Sequence, residues 1–251
     1  MTVATAVDDG IGHVVLNDPP LNILTSGLLQ EFRDGLEELA SQDELRVLLL
    51  RANGKHFSAG ASVEEHLPDR VGEMIPEFME TVRALQHFPL PVVAAVHGRC
   101  LGGAFELVMA ADLIVAGESA LLGVPEIQLG VFPPAACVQL PRCGARQLAA
   151  ELIYTGDPQR AASLAEVGLI RRVVPDEDLL QEASALAQRI ARGSAAALRV
   201  TKRALLAVSP ATDDAMGRVS RIYLEELMAT SDAVEGLTSF VEKRSPEWSH
   251  R

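Results

Sequence analysis

Two carboxylates stand alone among apolar neighbours. Glu106 lies in the run GGAFELVMAADLIVA, and Glu126 lies 20 residues on, in LLGVPEIQLG. A carboxylate buried among such neighbours loses hydration, which favours its protonated form and suits it to general acid and base work near neutral pH. Two that share one water split their titration, leaving one acid and one base. Exposed helical glutamates fit the same spacing. Two glycine-bearing strand-to-helix turns accompany them, RANGKHFSAGASVEEH (51–66) and AAVHGRCLGGAFELVMA (94–110). Turns of this kind present unpaired backbone N–H groups, and two facing one another make a two-donor oxyanion hole. Tight turns with no further role are the plainer alternative. Neither segment is GxGxxG or GxxxxGKS/T, so nucleotide-phosphate binding of those types has no support.

The elements that must position these residues follow from periodicity. IGHVVLN (11–17) is a short β-branched run closed by Asp18-Pro19-Pro20. From Ser26, read as an N-cap, Leu28, Leu29, Phe32, Leu36 and Leu39 share one helical face. LRVLLLR (45–51), PVVAAV (91–96) and DLIVAG (112–117) are buried strands, and 70–88 is an amphipathic helix. Strands alternating with helices predict a βαβ layout with a largely parallel sheet. After about residue 144 the chain turns helical, interrupted by LIRRVV (169–174). The expected division is an α/β core over 1–194 and a helical region over 195–251.

Composition narrows the function. The chain has 251 residues, 48% of them hydrophobic and 4% aromatic, so its core is built from Ala, Val, Leu and Ile. With 22 basic and 34 acidic residues the formal charge is −12, which argues against a nucleic-acid partner. MTVATAVDDG lacks the regions of a secretory signal, and no apolar run reaches the ~18 residues of a membrane helix. A cytoplasmic protein without membrane partner is expected. Cys100, Cys137 and Cys143 show no CxxC spacing, so neither a disulfide framework nor a metal site is expected. Of the histidines, His66 follows the first glycine turn and is a candidate pocket residue, with a surface helix position as the alternative. Arg99 on the second turn is a candidate for an anion or for a surface salt bridge.

Five segments, in order, resemble the crotonase (enoyl-CoA hydratase/isomerase) superfamily. They are KHFSAGASVEEH, PVVAAVHGRCLGGAFELVMAADLIVA, LLGVPEIQLGVFPP, YTGDPQRAASLAEVGLIRRVVP and DAVEGLTSFVEKRSPEW. The resemblance spans about residues 11–248 and implies a crotonase-like ββα-spiral core with a C-terminal helical oligomerisation region. It implies that the N–H groups of Ala61 and Gly103 bind a CoA thioester oxygen, and that Glu106 and Glu126 add water to an α,β-unsaturated acyl-CoA or remove it. Coenzyme A is then part of the substrate, and no metal or other cofactor is implied. Lys55, Ala59, His66 and Pro134 match substrate-contacting positions. A homotrimer or dimer of trimers is implied, with Phe240, Lys243 or Arg244 near a neighbour's CoA.

The chain departs from the family pattern in three places. Ser62 replaces an Asp, Glu64 replaces a frequent Lys, and Pro134 stands where hydratases carry a Gly whose N–H helps hold water. Proline has no N–H to offer. PLNIL (20–24), ASVEEHLPDRVGEMIPEF (61–78) and GVFPPAA (130–136) are most similar to the subgroup that includes cyclic-dienoyl-CoA hydratases. A 3-methylglutaconyl-CoA hydratase, an enoyl-CoA isomerase and a non-catalytic acyl-CoA-binding subunit stay open as alternatives.

Overall fold

A hairpin opens the chain. Strands β1 (Val3–Asp8) and β2 (Ile11–Leu16) turn through Asp9 and Gly10, both at positive φ (47° and 78°), as a two-residue hairpin loop requires. The computed structural model describes residues 2–143, 146–207 and 212–249. The chain continues through α1 (Ser26–Ala40), β3 (Val47–Ala52), α2 (Val71–Gln86), β4 (Val92–Val96), β5 (Arg99–Leu101), α3 (Gly103–Val108), β6 (Leu113–Gly117) and β7 (Leu121–Gly123). Then come α4 (Ala136–Gln139), α5 (Arg146–Thr155), β8 (Gln159–Arg160), α6 (Ala161–Glu166), β9 (Arg172–Val174), α7 (Leu179–Ala191), α8 (Ala195–Ala207), α9 (Thr212–Arg221) and α10 (Ser231–Val241). Single turns of 3-10 helix lie at Glu64–His66 and Pro125–Leu129, and a π-helical turn at Ile222–Glu226.

Six strands form one sheet in the order β1-β2-β3-β4-β6-β9, parallel except for the β1–β2 pair. The parallel strands are nearly all apolar because both faces are covered. Val47 and Leu49 pack with Val93, Ala95 and Val115 against Leu179, Ala183 and Leu186 of α7. Leu48 and Leu50 point the other way, into the main core with Phe32, Phe78 and Phe105. A second sheet, β5-β7-β8, sets the second glycine turn beside the first.

The sheet is largely parallel, as the strand–helix alternation predicts. Three local features differ from expectation. The edge strand β1 and the small sheet escape the periodicity, since VATAVD is half exposed and β5, β7 and β8 are two or three residues long. The cap of α1 is Thr25 and not Ser26: the Leu28 N–H donates to Thr25 Oγ1 at 3.3 Å. Ser26 Oγ donates instead to Glu65.

The C-terminal helices share the core of the α/β part. Met216, Tyr223, Ala233 and Leu237 belong to the same buried cluster as β3 and β4. Lys202 of α8, 4% exposed, places its ammonium 2.5 Å from Asp112 Oδ2 at the start of β6. That oxygen also accepts the Val92 N–H of β4, so one ion pair joins the helical region to two central strands. No helix among the described residues is long and apolar enough to cross a membrane.

Candidate active site

The first glycine turn lies along residues 21–24. The Ala59 N–H donates to Leu21 O, Leu24 N–H to Gly60 O, and Ser62 N–H to Leu24 O, at 2.9, 2.9 and 3.1 Å. Alternate residues of such an extended segment face opposite ways, so the Ala61 N–H points away from this pairing. Asn22, fully buried, fixes the turn from beneath by donating through Nδ2 to the carbonyls of Asn53, His56 and Phe57. Ser58 Oγ donates to Asn22 O and accepts the Gly60 N–H.

The second turn meets the first at close range. A Cβ on Gly60 would come within 2.8 Å of Leu101 O, and one on Gly103 within 3.3 Å of the Ala61 Cβ. Gly103 opens α3, where the first N–H groups of a helix have no intrahelical acceptor. Among the described residues neither the Ala61 N–H nor the Gly103 N–H is taken by a protein acceptor. Two adjacent, unpaired donors have the arrangement that an oxyanion hole requires.

One turn along α3, Glu106 is 2% exposed and accepts the Ala136 N–H at Oε1, 2.8 Å away. Burial pushes its pKa up to about 7, held back by the N–H groups of Ala136 and Ala135. Glu126 sits on the 3-10 turn, its Oε1 against Gly102, where a Cβ would lie at 2.7 Å. Its Oε2 is shut from solvent without a hydrogen-bond partner. Burial, and then the charge of Glu106, hold Glu126 well above the carboxylate range. Two backbone N–H groups hold Glu106 down, whereas Glu126 has only its own and also feels the Glu106 charge.

Both carboxylates face one cavity of about 80 Å³. Ala59, Ala61, His66, Gly103 and Pro134 also line it, so seven of the eight expected residues converge there. The rest of the wall is apolar: Met74, Ile75, Phe78, Leu129, Val131, Phe132 and Leu237. Lys55 lies elsewhere, in a separate open pocket with Arg51, His56, His97 and Arg99. His66 is buried; its Nδ1–H donates to Ser62 O at 2.7 Å, and desolvation lowers its pKa, so the ring is neutral. The bulk of Pro134 forms wall, and the N–H groups that follow it, of Ala135 and Ala136, serve Glu106.

Cys100 and Cys137 carry free thiols, and the Cys143 side chain lies outside the described residues. Burial raises both, Cys137 to about 12 with the help of Glu106 and Glu126, so neither is a thiolate nucleophile. Arg244 of the tail is engaged within the chain, donating to both carboxyl oxygens of Glu235 at 2.5 and 2.9 Å. Phe240 is 55% exposed. Sequence reasoning missed Asn22, Leu237 and Tyr223. Tyr223 is fully buried with its ring edge on Phe132, and no local pattern in the helical region marks it as part of the site.

Two unpaired backbone donors beside two carboxylates, inside a crotonase fold, are the arrangement found in the class of enzymes that the comparisons identify. The family model for enoyl-CoA hydratase/isomerase matches residues 6–251. The chain belongs to that family and is a hydratase-type lyase. It is 40% identical over 249 residues to cyclohexa-1,5-dienecarbonyl-CoA hydratase of Thauera aromatica, covering 97% of this chain and 95% of the relative. It is 35% identical over 256 residues to a probable enoyl-CoA hydratase of Mycobacterium bovis, covering 100% and 98%. A solved structure of methylmalonyl-CoA decarboxylase, in complex with 2-nitronate-propionyl-CoA, superposes with a TM-score of 0.89 at 27% identity, covering 100% and 99%. The same fold thus carries different reactions, so the reaction has to be argued from the carboxylates.

Proposed function

We propose that this protein adds water to a small cyclic dienoyl-CoA, with cyclohexa-1,5-dienecarbonyl-CoA, named for the relative from Thauera aromatica, as the leading candidate. The observation that carries the reading is a pair of carboxylates on one small apolar cavity, Glu106 buried and Glu126 half-buried with its Oε2 shut from solvent. The thioester oxygen accepts from the N–H groups of Ala61 and Gly103, which stabilise the enolate as charge moves onto it. Ionised Glu106 takes a proton from water as the water oxygen bonds to the alkene carbon. Protonated Glu126 delivers its proton to the carbon that the addition leaves electron-rich. The proton gained by Glu106 then returns to Glu126, restoring the starting state.

The cavity favours a compact apolar ring. Its described lining holds two acidic side chains and neither Lys nor Arg, which disfavours an acyl group with a second carboxylate such as 3-methylglutaconyl. The chemistry needs no resident cofactor, since CoA arrives with the substrate. Lys55 and Arg99 in the open pocket are the cations we assign to its phosphates. By the same family likeness we place the protein as a homotrimer or dimer of trimers.

The test is an assay of crotonyl-CoA, 3-methylglutaconyl-CoA and cyclohexa-1,5-dienecarbonyl-CoA side by side. We expect the highest kcat/KM for the cyclic thioester. A higher value for either of the others overturns the substrate assignment.

A further inference from the structure

Tyr223 is one of two tyrosines in the chain and is 0% exposed. Its hydroxyl is buried without a hydrogen-bond partner. A buried phenolic O–H in that state is costly, so a role is expected of it. The residue stands directly behind the cavity wall. Its ring meets Phe132 edge-on, with centroids 5.1 Å apart at 68°, and lies 6.4 Å from the ring of His66. Both of those residues line the cavity. Tyr223 is carried by the π-helical turn Ile222–Glu226, a wide turn that recurs where a helix must aim a functional side chain.

The charges that act on it are those of Glu126 and Glu106, and the His66 ring stands 6.4 Å away. The helices packed on its turn, α2 and α9, also carry Glu73, Glu77, Glu80, Arg83, Arg218 and Arg221. His66 is neutral and Cys137 stays protonated. The charges of Glu126 and then Glu106, after burial, disfavour the phenolate, so the hydroxyl is a donor and never a base. Glu126 Oε2 is the matching buried acceptor without a partner.

We propose that Tyr223 is a positioning residue for Glu126, its hydroxyl hydrogen-bonding to the carboxyl Oε2 through one buried water. The bond fixes the rotamer from which Glu126 delivers its proton. The inference rests on Glu126 being the acid of the proposed hydration.

The test has a readout that needs no substrate. Glutamate labelled at its side-chain carboxyl reports the titration of the buried pair by NMR. A donor stabilises the ionised carboxylate, so removing it raises the pKa and strengthening it lowers the pKa. We expect the upper titration of the pair to move up by about half a pH unit or more in Tyr223→Phe. Fluorotyrosine, a stronger donor of nearly the same shape, moves it down. With exposed Tyr154 replaced by Phe, biosynthetic labelling puts fluorotyrosine at position 223 alone. An upper titration that stays put in either protein overturns the proposal, and the fluorotyrosine protein decides should Tyr223→Phe not fold. With a turned-over acyl-CoA, Tyr223→Phe lowers kcat about tenfold and leaves KM within about twofold. Failure of every acyl-CoA to turn over counts against the hydratase reading and leaves the titration result standing.

Discussion

Glu106 and Glu126 differ in what touches them, and the roles we propose for them follow from that difference. Glu106 is raised to about 7 by burial. A carboxyl whose folded pKa is raised contributes stability that is full below its unfolded value of 4.5 and is lost as pH rises through about 7. The loss amounts to about 3 kcal/mol. Glu106→Gln cannot ionise and escapes it. We therefore predict a Tm for Glu106→Gln above that of the parent at about pH 8 and near it at about pH 4.5, by calorimetry. The same variant loses orders of magnitude in kcat while still binding a CoA ligand. Both carboxylates were legible in the sequence, as isolated charges in apolar runs. Tyr223 was not, because a buried tyrosine in a helical stretch reads as core, and only packing against Phe132 brings it behind the cavity.

At the scale of elements, two glycine turns are pressed together, and Gly102 of the second packs against the Glu126 carboxyl. It sits at φ +54°, and a Cβ there would lie 2.7 Å from Glu126 Oε1. Gly102→Ala is expected to cost about 1–3 kcal/mol and to push the Glu126 carboxyl out of line. The fall in kcat should exceed any change in KM; a variant with parental kcat would contradict the tight packing. The strand–turn–helix order was readable from the runs 45–51 and 91–96, whose continuous apolar character follows from a sheet covered on both faces. The small sheet that sets the turns side by side was not, since strands of two or three residues carry no period. The Thr25 cap was off by one residue because Thr and Ser stand in succession and both can cap.

Across the whole molecule, the helical region completes the site. Leu237 lines the cavity and Tyr223 backs it, while Lys202 fastens α8 to β6 and β4 through Asp112. Lys202→Met leaves Asp112, whose side chain keeps 26% of its exposure, without its cation. Partial solvent access limits the cost to about 1–3 kcal/mol, visible as a lower urea midpoint, with kcat of the folded fraction little changed. A loss of kcat without a loss of stability would show that the ion pair shapes the site itself. The formal charge of −12 argues against a nucleic-acid partner from sequence alone. Where the cations gather was not legible, because Arg51, Lys55 and Arg99 come from two separate strand ends that the parallel sheet brings level.

The central claim is hydration of a cyclic dienoyl-CoA by the Glu106–Glu126 pair. It is tested most directly by incubating the protein with cyclohexa-1,5-dienecarbonyl-CoA in water enriched in heavy oxygen and weighing the product. The account predicts a hydroxylated thioester carrying one heavy oxygen atom, formed by the parent protein and reduced by orders of magnitude in Glu126→Gln. A product isomeric with the substrate and free of label, or full labelling activity in Glu126→Gln, would contradict it.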